Sequence, residues 1–232
     1  MGKNRKAYPV PVLEWATKVA QMTALFYGSI PVPELYRVFL NGKDRIAGTE
    51  DVTEEEFRDM LEALVDSDEV RVSNGVLYVD SGSPFSTFRL RHNEAVINAD
   101  DKMVRGLLRE KKLRNPGYRI LSYDEVLRMM DACYIETPGT EALRKYLSSK
   151  WKIHANEASD IIRSAFVGYM SGEGFAAELG NVAGAVLRKT GKIGMTQAEL
   201  GELADVMAAF YNNCPQFVLY GWSPLEARGR ML

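Results

Sequence analysis

The chain has 232 residues, 46% hydrophobic and 26% charged, with a formal net charge of −2. Its size allows one large or two small domains whose cores need no covalent staples, and its mixture is that of a soluble globular protein rather than a disordered one. Its two cysteines, Cys133 and Cys214, have no partners at metal-ligand spacing, which argues against a disulfide framework or a zinc module and leaves both as small buried hydrophobes.

The distribution of charge is more informative than its sum. Residues 12–80 carry 14 acidic and 6 basic side chains, whereas residues 81–150 carry 9 acidic and 13 basic. An acidic first part is therefore followed by a mildly basic middle. No apolar run approaches the roughly 18 to 20 residues that span a bilayer, and the start MGKNRKAYPVPV lacks the apolar core of a secretory signal. A cytoplasmic protein without membrane contact is expected.

In chain order, Lys3, Arg5 and Lys6 read as a solvated basic terminus. Trp15, Val19, Met22 and Phe26 recur on one face of a first helix over residues 12–27, with Gly28 at the C-terminal cap position. Pro33 suits the first turn of a second helix ending at Asn41-Gly42. A third helix is marked by a capping box, Thr53 with Glu56, and by the stripe Phe57, Met60, Leu61, Leu64 and Val65. Val70 and Val72 then face Leu77 and Val79 across Asn74-Gly75, the pair preferred in a type I′ hairpin turn. Three helices closed by a two-stranded wing predict a winged-helix-like domain over residues 1–82.

Residues 80–84 (DSGSP) break the periodicity, and residues 83–100 read as either a linker or an extra strand. From residue 101 to 232 the pattern is that of a helical bundle, the class being mainly α. One helix is expected over residues 101–113. A second opens with Ser122 and Glu125 and turns Val126, Leu127 and Met130 inward. A third covers 140–151. A fourth, 156–170, places Ile161, Ile162, Ala165, Phe166 and Tyr169 on one side. A fifth, 174–189, is rich in small residues, with Leu179, Val182, Ala183, Val186 and Leu187 inward and Gly191 as its cap. A sixth opens with Thr196 and Glu199, and turns Leu200, Leu203, Ala204, Met207 and Phe210 inward until Asn212-Asn213. Ser223, Pro224 and Glu226 announce a short last helix.

Phe26-Tyr27-Gly28-Ser29-Ile30 running into Glu34-Leu35-Tyr36, together with Asn212-Asn213 and Gly221-Trp222-Ser223-Pro224-Leu225-Glu226, resembles a group of uncharacterised bacterial, Firmicutes-type helical proteins associated with the SEC-C motif. Cys214-Pro215 stands where that group usually has threonine and arginine, Trp222 stands in place of a frequent histidine, and the cysteine-rich tail is missing. The resemblance implies a shared architecture and no particular activity.

Winged-helix domains often bind DNA through the third helix. Here that helix and its flank present Glu54, Glu55, Glu56, Asp59, Glu62 and Asp66 against a single Arg58, and phosphate would repel such a face. The expected role is therefore a non-enzymatic protein-interaction or regulatory module. Glu55, Asp59 and Glu62 are its candidate protein-binding residues, joined by Tyr220 and Trp222 from an aromatic segment near the end. The favoured reading of that segment is a loop folded back to seal the bundle, because an ordered loop of this length needs buried anchors of its own. The alternative is a nucleic-acid-associated regulator binding through Lys102, Arg105, Arg109, Lys111, Lys112, Arg114 and Arg119, seven cations within eighteen residues. No catalytic, cofactor or metal residues are assigned. His92 and His154 lack a nucleophile motif, and Gly172-Glu173-Gly174 and Gly191-Lys192 lack the strand context of a phosphate loop and read as turns.

Overall fold

The computed structural model describes residues 7–27, 29–66, 70–73, 76–79, 87–91, 94–97, 117–228 and 230. The protein is mainly α, with nine α-helices among the described residues. It divides into two compact units, Met1–Val104 with Ile120–Met130, and Arg105–Arg119 with Asp131–Leu232.

In the first unit, α1 (Val10–Tyr27) leads through a short strand β1 (Ser29–Pro31) into α2 (Val32–Leu40), and α3 (Glu54–Asp66) follows a loop. Pro33 sits in the first turn of α2 as expected, and Pro31 is extended at the N-cap. The α3 capping box is formed, with Thr53 N–H donating to Glu56 Oε2 at 2.9 Å and Glu56 N–H donating to Thr53 Oγ1 at 3.2 Å. Trp15, Phe26, Phe39 and Phe57 are wholly buried. Phe57 packs on Phe39 with centroids 4.7 Å apart, and the Trp15 indole N–H donates to Phe39 O at 2.7 Å. Gly42 makes that indole seat possible, since a Cβ there would lie 2.3 Å from Trp15 Nε1.

Strands β2 (Val70–Ser73) and β3 (Val76–Val79) pair antiparallel, with Val70 opposite Val79 and Val72 opposite Leu77. They do not form the isolated two-stranded wing expected from the sequence. β3 also pairs with β4 (Thr87–Arg91), β4 with β5 (Glu94–Ile97), and β5 with β1, giving a five-stranded antiparallel sheet in the order β1-β5-β4-β3-β2. The physical reason lies in residues 83–100. They supply two further strands that take up the free edge of β3, where an unpaired row of backbone groups would otherwise stand. Gly28, Asn74-Gly75, residues 80–84, His92 and the helix expected over 101–113 lie outside the described residues.

The next helix, α4 (Tyr123–Ala132), has its expected box, Ser122 N–H donating to Glu125 Oε2 at 2.9 Å. The sequence groups it with the bundle from residue 101, but residues up to Met130 belong to the first unit. Tyr123 packs on Trp15 with centroids 4.8 Å apart, and the Asn41 amide donates to Leu121 O at 2.6 Å. Val126 and Met129 are its buried side chains, while Leu127 and Met130 are half-buried.

The second unit contains α5 (Pro138–Trp151), α6 (Ala155–Ser171), α7 (Phe175–Thr190), α8 (Gln197–Asn213) and the short α9 (Pro224–Ala227). Thr137, Thr196 and Ser223 each cap their helix through a complete box. The turns read from sequence are turns here: Gly172 and Gly191 close α6 and α7 in the left-handed region, at φ 101° and 69°. The five inward residues expected of α6 are all buried. On α8 the buried stripe is Leu203, Met207 and Phe210, and Leu200, expected inward, is 42% exposed one turn above it. Phe210 also fixes the crossing with α5. A Cβ on Gly139 would stand 2.7 Å from Phe210 Cα, so the two backbones meet where only glycine fits.

Candidate functional site

Three places in the described residues combine polar chemistry with a defined position: the outer face of α3, the C-terminal segment, and a groove between α6 and α7. On α3, Phe57, Met60 and Leu61 are buried, while Glu55, Asp59 and Glu62 are exposed. Their spacing of four and three residues stacks them along a single stripe. Arg58 leans back to Glu54, at 3.8 Å. Its charge is therefore drawn toward the start of the helix.

The C-terminal segment folds onto its own unit. At the end of α8 the Asn212 and Asn213 amides donate back along the helix to Ala208 O and Ala209 O, both at 2.9 Å, and beyond it Cys214, Gln216, Phe217 and Leu219 are buried. Tyr220, 7% exposed, packs edge-on against Tyr118 at 4.8 Å. Half-buried Trp222 donates its indole N–H to Gly117 O at 3.0 Å, and the Arg230 guanidinium stacks 3.8 Å from its ring. Both aromatics named as protein-binding candidates are thus engaged within the second unit, as the sealing-loop reading expects.

Of the basic cluster, Lys102, Arg105, Arg109, Lys111, Lys112 and Arg114 lie outside the described residues. Arg119 is placed, with its side chain 18% exposed and its Nε 4.0 Å from Glu226 Oε1. Its backbone N–H donates to Tyr220 O at 3.0 Å, which ties it to the same closing segment.

The groove was not legible as a site. Of the residues expected inward on α7, Val182 and Val186 are buried and Leu179, Ala183 and Leu187 are half-buried beside them; the buried residue the sequence reading missed is Glu178. Glu178 is only 4% exposed. Its carboxylate lies against Gly168 of α6, where a Cβ would come within 2.3 Å of Oε1. The Asn181 amide donates to Oε1 at 3.1 Å. Among the described residues no cation stands within ion-pair distance of Glu178, and burial, with the nearby charge of Glu173, pushes its carboxyl above the ordinary range. The Tyr169 hydroxyl, buried and without a hydrogen-bond partner among the described residues, is pushed up by burial and by the field of Glu178. Burial likewise holds Cys214 well above the usual thiol range, so its sulfur is an unreactive thiol.

Above this carboxyl lies a cavity of about 380 Å³, bordered by Ile161 and Ser164 of α6 and by Asn181, Ala185 and Arg188 of α7. It exists because α7 presents glycines at 180 and 184 where larger side chains would fill the space; a Cβ on Gly180 would meet nothing. Arg188 is exposed and, among the described residues, in no ion pair. The only sequence signal was the small-residue composition of this helix together with a glutamate at its inward period.

Among the described residues no group of three or more His, Cys, Asp or Glu is placed to hold a metal ion, and no helix is long and apolar enough to cross a membrane. Compared with known proteins, the chain matches no family model, no curated protein and no solved structure.

Proposed function

We propose that this chain is a cytoplasmic, non-enzymatic protein-interaction or regulatory module whose docking face is the outer side of α3, and that its partner presents a basic surface. The observation carrying this reading is the stripe of Glu55, Asp59 and Glu62, exposed on a helix whose opposite side is locked by Phe57, Met60 and Leu61. A rigidly held row of carboxylates attracts cations and repels phosphate, and such complementarity sets partner choice and association rate. The order helix, strand, helix, helix, followed by antiparallel strands that return to pair with β1, supports a winged-helix-like ancestry with an enlarged sheet. Tyr220 and Trp222 support the module from within, by closing its second unit.

The test is a binding titration at low salt against a lysine- and arginine-rich peptide and, separately, against duplex DNA and single-stranded RNA. Salt-sensitive binding of the peptide that is lost in the Glu55→Lys, Asp59→Lys, Glu62→Lys triple variant is the expected result. Retention of nucleic acid instead, with the triple variant unaffected, would transfer the function to the Lys102 to Arg119 segment.

A further inference from the structure

We propose that the groove between α6 and α7 binds a small zwitterion, its ammonium group seated on the Glu178 carboxylate and its acidic group on the Arg188 guanidinium. The site is independent of the α3 face and adds a ligand to the module.

The floor of the groove is built for a cation. Glu178 is 4% exposed, and of its several acceptor positions the structure fills one, through the Asn181 amide at 3.1 Å. A buried carboxylate without a cation is an expensive feature unless something neutralises it. α6 nevertheless keeps a glycine at position 168 that makes room for this carboxyl, since a Cβ there would reach within 2.3 Å of Oε1. An ammonium donor supplies the cation that, among the described residues, stands nowhere within ion-pair distance of Glu178, and its hydrogens meet the unfilled carboxylate positions.

The rim carries the opposite sign. Arg188 borders the same cavity as Glu178, and its side chain folds back along α7, with Nη1 3.4 Å from where a Cβ on Gly184 would stand. A simple polyamine would be repelled there, whereas a carboxylate would be gripped by the guanidinium fork. Six residues separate Glu178 from Gly184, which at the helical rise is about 9 Å along the axis. The ligand is therefore one whose charges stand well apart, such as an ω-amino acid or a short peptide, rather than a single α-amino acid. Ile161 and Ala185 offer an apolar wall for the methylenes between the charges, and the cavity volume of about 380 Å³ suits a molecule of that size.

Isothermal titration of the full chain with ε-aminocaproate tests this, with hexylamine, caproate and glycine as comparators. Expected is saturable binding of ε-aminocaproate, weakened about tenfold or more in Glu178→Gln and in Arg188→Gln, with each comparator weaker than the zwitterion. Arg188 is on the surface and glutamine keeps the shape of Glu178, so thermal melts of both variants should show folded proteins. Affinity unchanged in both variants, or no binding of any probe, overturns the proposal. Hexylamine binding as tightly as ε-aminocaproate, with Arg188→Gln without effect, would overturn it in favour of a plain amine site.

Discussion

On α3 Glu55, Asp59 and Glu62 are exposed, and the inward side is closed by Phe57, Met60 and Leu61; on α7 a carboxylate, Glu178, occupies the inward side itself, in line with Val182 and Val186. The outward charges remain solvated and take little part in stability, so α3 is as stable as its apolar stripe makes it. The inward charge loses its water, gains one amide bond, and stands beside a cavity. A helix meant only to pack would carry an apolar residue at position 178. The difference separates a face available for surface recognition from a pocket that gives up some stability to keep a polar group unfilled.

The largest expected effect tests the α3 half of this comparison. Phe57→Ala removes a wholly buried ring that packs against Phe39 and Tyr36, and should cost about 3 to 5 kcal/mol in urea unfolding. A cost below about 1 kcal/mol would mean that the stripe is not the core it is taken to be.

Gly168→Val addresses α7 in the same units. Its Cβ would collide with Glu178 Oε1, forcing the carboxyl from its seat at a cost of about 1 to 3 kcal/mol. In a Glu178→Ala background that cost should shrink, because the obstacle has gone. Strict additivity of the two changes in a double-mutant cycle would show that the carboxyl is not what requires glycine at 168.

These two helices also show what the sequence made legible. α3 was readable because its capping box and apolar period agree, and both depend on neighbours within four residues. The boxes at Ser122, Thr196 and Ser223 were readable for the same reason. Strands β4 and β5 stayed ambiguous because their pairing partners, β3 and the distant β1, are not encoded in their own alternation. The contact of α4 with Trp15, made by Tyr123, was not readable because the two residues lie far apart in the chain and neither periodicity encodes the other. Glu178 was missed by rule. A glutamate in the first turn of a helix is ordinarily explained by the helix dipole, and only the glycine opposite it, on another helix, shows that it points inward.

A smaller effect, distinguished by its dependence on pH, follows from the burial of Glu178. The folded state holds its carboxyl above the ordinary range, so folding favours the protonated form. Its contribution to stability is full below the unfolded carboxyl pKa and is lost as pH rises through the folded value. Glu178→Gln keeps the amide contact without the charge. It should therefore raise the melting temperature at neutral pH by an amount equivalent to about 1 kcal/mol, with the gain closing as pH falls below the ordinary carboxyl range. A gain that is the same at all pH values would show that the charge of Glu178 is not the cause.

The smallest stability effect is expected where the functional effect is greatest. Replacing Glu55, Asp59 and Glu62 with lysine reverses three charges on one turn-spaced stripe but touches no buried contact, and the helix keeps its Thr53 and Glu56 cap. Lysine has good helix propensity, and surface charges are worth a few tenths of a kcal/mol each, so the triple variant should unfold within about 1 kcal/mol of the wild type. Its binding to a basic peptide should nevertheless be abolished, and the wild-type interaction should weaken steeply with added salt because the face is solvated. If the triple variant instead loses stability on the scale of Phe57→Ala, the three carboxylates hold the fold together. The contrast between an outward recognition face and an inward polar pocket would then fail on its α3 side, while the α7 groove, which rests on Glu178 and Gly168, would stand or fall by its own titration.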